Sequence, residues 1–204
     1  MMVYKTICEY RLSDPIKEGV PMPAITDRSK VEPLLKTVRL GHGTLECTDI
    51  GKTRRFYEEV LGLEVIQTSP LSLMIRKGTN HTYAVVETGK ANQEMHMLNH
   101  NGLDVGSPGE VDAAYELLLK VKDEYGIKKL QKPRHAHGDY AFFFCDLDGN
   151  WWEIVAVRPG GYAADFGEDD RDLTGRHELD AVHGSVTHIH THDAEFRATL
   201  QNRR

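Results

Sequence analysis

The sequence is poor in cysteine, has no excess of basic residues and contains no long apolar run. Its three cysteines, Cys8, Cys47 and Cys145, are an odd number without close spacing, which argues against a disulfide framework and favours a reducing compartment. The net charge of −6 argues against a nucleic-acid partner. Residues 1–20 carry acids and a proline where a signal peptide needs an apolar stretch. We therefore expect a cytoplasmic protein with a small-molecule substrate and no membrane partner.

Composition divides the chain into three parts, which we expect to form one globular unit. Residues 1–37 contain prolines among polar residues, a composition typical of an extended N-terminal arm. Residues 38–157 contain strand and helix patterns in a repeated order. Residues 158–204 are rich in Gly and Asp, so we expect a loosely packed polar C-terminal tail.

The first half of the central part, residues 38–90, reads as strand, helix and three strands. An alternating run ends at Asp49, a helix N-cap residue, and the helix that follows is closed by Gly62. Three β-rich runs come next, LEVIQT, SLMIRK and HTYAVVE, separated by turn residues. This order predicts one βαβββ module.

The same order recurs over residues 94–157. Ser107 and Glu110 form a capping box, with Pro108 at the first helical position and a helix expected to run to Gly126. Three β-rich runs follow, KKLQKP, YAFFFCD and WWEIVAV, and residues 146–150 join the last two as a hairpin turn. We predict a second βαβββ module.

The two halves align as an internal duplication. His42 in the first strand of module one corresponds to His100 in the first strand of module two, and Tyr57 and Tyr115 follow these histidines at equal distance. Agreement of strand order, helix position and histidine register favours a true repeat over chance. We therefore expect an α+β fold built from two βαβββ modules.

The pattern resembles the vicinal oxygen chelate superfamily, which includes glyoxalase I, extradiol dioxygenases and bleomycin or fosfomycin resistance proteins. The resemblance is carried by the runs LGHGTLECTD, FYEEVLGLEV, LNHNGLDVGSP and FCDLDGNWWEIVAV. It implies that the two modules form a cupped, incomplete barrel around one divalent metal. By position, it implies His42, His100 and Glu153 as the metal ligands.

Two imidazoles and one carboxylate form a facial set that suits Fe(II) and leaves positions open for a substrate and for oxygen. Mn(II), Zn(II) and Ni(II) remain alternatives, because metal availability decides occupancy as much as ligand identity does. Glu153 lies between Trp152 and Ile154 in an apolar strand, where an unpaired carboxylate would carry a desolvation cost that a metal offsets.

Within the superfamily, the chain is most similar to a small extradiol dioxygenase, which would cleave a catechol-like aromatic with O2. The run Asn80–Ala84 matches the stretch that holds a catalytic histidine in those enzymes, so His81 would be an acid/base. The family's signature before the last ligand is matched in order by His135, Phe142, Phe143, Asp146, Gly149 and Glu153.

Two departures from that signature bear on the reaction. Leu147 replaces a proline, and Phe143 stands where a catalytic tyrosine usually stands. A phenylalanine cannot donate a hydrogen bond, so Tyr140 or His137 would have to substitute. His135 and His137 flank a loop that could close over the substrate.

Two other functions stay open. In a glyoxalase I-type isomerase, Glu87 would be a fourth ligand, and it shares one strand face with His81. A non-catalytic resistance-type binding protein is the second alternative, although such proteins generally lack the complete metal set. A homo-oligomer is allowed by either function. The alternating histidines of the tail, His183, His188, His190 and His192, are expected to bind metal only adventitiously.

Overall fold

The computed structural model describes residues 25–35, 37–78, 80–90, 95–136, 139–157, 160–167, 172 and 174–177. These residues fall into two units, one with residues 25–30 and 174–177 and the other with the remainder. In the smaller unit, the amide of Gly175 donates to the carbonyl of Thr26 at 2.9 Å. Both βαβββ modules lie in the larger unit. Most of the arm predicted over 1–37 lies outside the described residues, as do the four tail histidines.

Module one has the predicted order of elements. It contains β1 (His42–Cys47), α1 (Ile50–Glu59), β2 (Glu64–Ser69), β3 (Ser72–Arg76) and β4 (Thr82–Glu87). Its strands form a sheet in the order β1-β4-β3-β2, in which β1 is parallel to β4 and the other pairs are antiparallel. The buried side chains of this sheet have odd numbers: Leu45, Cys47, Leu73, Ile75 and Val85. One face of the sheet therefore belongs to the core.

Module two repeats this arrangement with one additional strand. It contains β5 (His100–Val105), α2 (Pro108–Tyr125), β6 (Lys129–Leu130), β7 (Arg134–Ala136), β8 (Asp139–Cys145) and β9 (Trp151–Ala156). The sheet order is β5-β9-β8-β6, with β7 also paired to β8 and with β5 parallel to β9. The run predicted as a strand over residues 128–133 forms only the short strand β6, and β7 lies in the run around His135 that was predicted as a loop.

The predicted helix ends are confirmed, with one difference. The Asp49 carboxylate accepts hydrogen bonds from the amides of Gly51 and Lys52, and Ser107 Oγ accepts one from the Glu110 amide. Gly126 ends α2 in the left-handed region at φ 70°. Helix α1 ends earlier than expected, at Glu59, and Gly62 follows its last turn at φ 62°.

The turn between β8 and β9 joins the two modules. Oδ1 of Asp146 accepts hydrogen bonds from three backbone amides of its own turn, each at 2.9 Å. Oδ2 of Asp146 accepts from Trp152 Nε1 at 3.0 Å and from the Tyr57 hydroxyl of α1 at 3.3 Å. Asp148 accepts from the Thr53 hydroxyl of α1 at 2.6 Å. This buried network fixes the strand that carries Glu153 against module one.

The chain after β9 forms a 3-10 helix over Gly161–Gly167. The tail predicted from residue 158 onward was expected to pack loosely, yet the hydroxyl of Tyr162 donates to Asp139 of β8 at 3.0 Å. This part of the chain therefore contacts module two.

The α+β class with two βαβββ modules is confirmed, and in the described residues the two sheets remain separate without closing into a barrel. Neither helix of the described segments combines the length and the apolar character that crossing a membrane requires.

Candidate metal centre

His100 and Glu153 are brought together by the parallel pairing of β5 with β9. His100 is the register partner of Trp151, and Gly102 is the partner of Glu153, so His100 and Glu153 share one face of the sheet. This face is opposite to the one that packs on the core through Trp152 and Ile154. His100 Nε2 lies 3.5 Å from Glu153 Oε2. The structure thus unites two of the three predicted metal ligands.

The ring of His100 is held in one tautomer by the backbone. Its Nδ1 lies 2.8 Å from the carbonyl oxygen of Met97, an atom that can only accept a hydrogen bond. Nδ1 therefore carries the proton and donates a hydrogen bond to the Met97 carbonyl. In the neutral ring, Nε2 then presents its lone pair toward Glu153, which is how metal-binding histidines are usually oriented.

Glu153 has an unusual environment for a carboxylate, because its residue is only 8% exposed. Burial raises the pKa of Glu153, and the nearby charges of Asp139 and Asp104 raise it further, while His100 opposes them. Three carboxylates on one face give this part of the molecule a negative potential that favours a cation.

Aromatic side chains surround the pair. Phe143 is the register partner of Glu153, and its ring meets the His100 ring edge-on with centroids 4.9 Å apart. Trp151 packs with Phe143, Cys145 and the partly buried Met97. Within the described residues, the buried Nε1 of Trp151 has no hydrogen-bond partner. The site therefore has an apolar floor, and among the described residues Trp151 Nε1 is a buried hydrogen-bond donor there without an acceptor.

The third predicted ligand, His42, lies apart from the other two. Its register partner is Thr82, which places it on the exposed, even-numbered face of the first sheet. Among the described residues, no three His, Cys, Asp or Glu side chains are close enough together to hold a metal. A single chain thus places two of the predicted ligands together and His42 elsewhere, and the triad stays a prediction.

Glu87, the predicted fourth ligand of an isomerase, has a different neighbour. Its Oε2 accepts a hydrogen bond from the Ile50 amide at 2.8 Å, at the start of α1. Its register partner is the buried Cys47, so Glu87 is on the face opposite to His42. In this position Glu87 satisfies a free amide of the helix N-terminus.

The predicted catalytic residues that the structure describes, His81, His135 and Tyr140, pack against neighbours other than His100 and Glu153. His81 packs edge-on against Tyr83, and both line a cavity of about 170 Å³. Tyr140 donates to Asp112 of α2 at 2.8 Å, and the His135 ring lies 4.8 Å from the Tyr140 ring. Tyr140 thus faces α2 rather than Glu153. His137 lies outside the described residues, and the catalytic roles of these four residues stay predictions.

Sequence reasoning missed Tyr162, Asp104 and Asp139. Asp104 and Asp139 belong to the same sheet face as Glu153, because Asp104 pairs with Val155 and Asp139 is four residues from Phe143 in β8. Strand alternation around the predicted ligands could have found the two aspartates. Nothing in the sequence indicated that Tyr162, in a segment read as tail, would reach them.

A comparison with models of protein families matches residues 39–154 to the family described as Glyoxalase/Bleomycin resistance protein/Dioxygenase superfamily. The chain belongs to this superfamily. The match spans both modules, from the strand of His42 to the strand of Glu153. The earlier resemblance is thereby confirmed at the level of the superfamily.

Several solved structures are similar to the superfamily domain. A hypothetical protein from S. aureus is 22% identical, with 61% of this chain and 96% of that chain covered and a TM-score of 0.48. The fosfomycin resistance protein FosX from Listeria monocytogenes, complexed with Mn(II) and sulfate, is 21% identical, with 60% and 93% covered and a TM-score of 0.49. A possible glyoxalase from Bacillus cereus is 20% identical, with 59% and 100% covered and a TM-score of 0.48. No curated protein matches the chain.

Proposed function

We propose that this superfamily member is an Fe(II)-dependent extradiol dioxygenase that cleaves a catechol-like aromatic ring with O2. The observation that carries the proposal is the contact between His100 Nε2 and Glu153 Oε2, 3.5 Å apart on one face of the second sheet. When bound, the iron would supply a Lewis acid for the diol and a site for oxygen.

The arrangement of His100 and Glu153 is more favourable with a metal between the two side chains than without one. With Nδ1 of His100 donating to Met97, neutral His100 and ionised Glu153 point two lone pairs at each other, which is unfavourable without a cation or a proton between them. Two ligand atoms bound at about 2.1 Å with an angle of about 90 to 110° are roughly 3.0 to 3.4 Å apart. The observed separation of 3.5 Å is close to this range.

We propose that His42 of a second copy completes the triad. His42 lies on a sheet face that is exposed in the single chain and includes apolar side chains, among them Ile66, 63% exposed, and Val86, 37% exposed. A twofold dimer that covers this face with the Glu153 face of the other copy would form two equivalent sites. His81 directly precedes the register partner of His42 but lies on the other face of the strand, where it lines a cavity with Tyr83, so its acid/base role rests on the sequence match.

Two features favour ring cleavage over isomerisation of a glutathione adduct. Glu87, which an isomerase would use as a fourth ligand, already accepts a hydrogen bond from Ile50. The carboxylates Asp104 and Asp139 beside Glu153 would repel an adduct that carries carboxylates of its own. A diol that enters the site in its neutral form would avoid this repulsion.

Each of the chain's own residues at the site would then have a separate role. His100 and Glu153 hold the metal, with His100 oriented by Met97. Phe143 and Trp151 provide an apolar floor on which a flat ring can pack and from which water is excluded. His81 would accept a proton from the diol as a general base.

The test is anaerobic reconstitution with Fe(II), followed by oxygen uptake and absorbance measurements with a panel of small catechols. We expect iron-dependent oxygen uptake and a yellow ring-cleavage product. No uptake with any catechol, together with Zn(II)- or Ni(II)-dependent activity on the methylglyoxal–glutathione hemithioacetal, would contradict the proposal.

A further inference from the structure

The hydroxyl of Tyr162 lies at the edge of the candidate metal centre, on an element outside both modules. The 3-10 helix Gly161–Gly167 holds it there, and the hydroxyl is 3.0 Å from Oδ2 of Asp139. Gly161 lies beside the carboxylate of Asp104, and a side-chain carbon at Gly161 would be 3.4 Å from Asp104 Oδ2. The hydrogen bond to Asp139 and the close approach of Gly161 to Asp104 therefore place this helix at one end of the Glu153 face.

The residues around Tyr162 are acceptors of hydrogen bonds. Asp104 and Asp139 share the face of Glu153, and within the described residues neither forms an ion pair. Burial raises the pKa of Tyr162, the hydrogen-bonded Asp139 raises it further, and the charges of Glu153 and Asp104 make smaller contributions in the same direction. The hydroxyl thus stays protonated at neutral pH and donates a hydrogen bond to Asp139.

A phenol whose proton is directed to a carboxylate has oxygen lone pairs that accept hydrogen bonds. Its negative partner also strengthens it as an acceptor. Tyr162 remains 45% exposed, so a substrate can reach it. A substituent that donates a hydrogen bond, such as a hydroxyl or an amine, complements this end of the site, whereas a carboxylate would meet like charges.

We propose that Tyr162 is a specificity-determining residue of this site and that its hydroxyl oxygen accepts a hydrogen bond from a hydroxyl or amino substituent of the aromatic substrate. This inference rests on the proposed function, because it assigns the substrate's ring to the His100–Glu153 centre. It also explains how a site with Phe143 in place of a tyrosine acquires a phenol near the substrate.

The test measures binding rather than turnover. The full chain is loaded with Zn(II), which is redox-inert, and the dissociation constants of 4-hydroxymethylcatechol, 4-methylcatechol and protocatechuate are measured by calorimetry. In the unmodified protein we expect 4-hydroxymethylcatechol to bind about 3- to 10-fold more tightly than 4-methylcatechol, and protocatechuate to bind most weakly.

The Tyr162→Phe variant should bind the hydroxymethyl and methyl compounds with equal affinity and should bind Zn(II) as before. Tyr125→Phe is the matched control, since the Tyr125 hydroxyl bonds Glu59 on the helix surface, and it should keep the preference. Tyr140→Phe separates this inference from the sequence-based one, which assigns the hydrogen-bonding role to Tyr140 or His137.

An unchanged preference in Tyr162→Phe, or a loss of preference in Tyr140→Phe instead, overturns the role of Tyr162 and leaves the proposed dioxygenase standing. Failure of every catechol to bind the metal-loaded protein overturns both, and it does so at the level of the proposed function.

Discussion

Phe143 and Glu153 are register partners on the antiparallel strands β8 and β9, and both belong to the sheet face that carries His100. A metal bound by His100 and Glu153 would therefore lie over an aromatic ring that has no hydroxyl. Apart from Trp151 Nε1, polar contacts to the substrate would then come from other elements. The 3-10 helix with Tyr162 and a second copy with His42 are the two sources that the fold suggests.

Separate placement of His42 predicts complementation between inactive variants. His42→Ala and Glu153→Gln should each be inactive alone, because each lacks one ligand at every site. In a coexpressed mixture, half of the dimers contain both chains and have one intact site, so about a quarter of the wild-type activity should return. Coexpression of His100→Ala with Glu153→Gln is the control. It should restore nothing, since both ligands come from the same chain.

Recovery in that control, or no recovery with His42→Ala, would contradict a site shared between two copies. The oligomeric state measured by light scattering gives independent evidence, and we expect a dimer.

Glu87 and Glu153 should behave oppositely when each is changed to glutamine. Glu87→Gln removes a charge from the N-terminus of α1, so the free energy of unfolding should fall by about 0.5 to 1 kcal/mol with metal affinity unchanged. Glu153→Gln should keep the fold and lose the metal. Denaturant unfolding and metal calorimetry on both variants decide the point. Weaker metal binding in Glu87→Gln would favour the four-ligand isomerase site.

Asp146 should be among the most sensitive positions for stability. Asp146→Ala leaves three turn amides, Trp152 Nε1 and the Tyr57 hydroxyl without their buried acceptor, and we expect a loss of about 3 to 5 kcal/mol. Asp146→Asn keeps one carbonyl oxygen for the amides and should lose distinctly less. Urea unfolding followed by tryptophan fluorescence measures both, and equal losses would show that the turn amides are not the main contribution.

Cys47 should be unreactive and should make the fold sensitive to alkali. Burial, with a smaller contribution from Asp148, raises the pKa of the Cys47 thiol from its ordinary value of 9.0 to about 11. Because the folded state holds this proton more tightly than the unfolded chain, the stabilisation is complete below pH 9 and is lost as pH rises through about 11. The difference corresponds to about 2 to 3 kcal/mol.

Cys47→Ser is a poor control, because its hydroxyl is polar; Cys47→Ala removes the titration with little change in size. Unfolding measured from pH 7 to 11 should show a steeper decline for the unmodified protein than for Cys47→Ala. Parallel curves would contradict the shifted thiol.

Local signals in the sequence were sufficient to predict most of the fold. Asp49, Ser107 and Gly126 end or begin helices through their own backbone and side-chain chemistry, and each was found from its immediate neighbours. Strand alternation predicted the sheets. Strand β7 was missed and read as a loop, since a short run next to a proline and a glycine has no clear period.

The site was predicted only in part, for a physical reason. The pairing of β5 with β9 is long-range, yet the repeat allowed His100 and Glu153 to be matched to superfamily positions. Which face of a strand packs on the core depends on where the helices lie. Tyr140 lies on the face that meets α2, so it is not a neighbour of Glu153. The position of Tyr162 depends on how a segment of little regular pattern folds back, which local propensity does not specify.

The most direct test of the metal centre is a calorimetric titration with Mn(II), a redox-stable divalent probe. The titration uses a background protein in which His183, His188, His190 and His192 are changed to alanine, so that the tail binds no metal. The account predicts one ion per chain, with affinity reduced by more than about 100-fold in either His100→Ala or Glu153→Gln. Retained affinity in both variants, or no binding in the background protein, would contradict a metal site at His100 and Glu153.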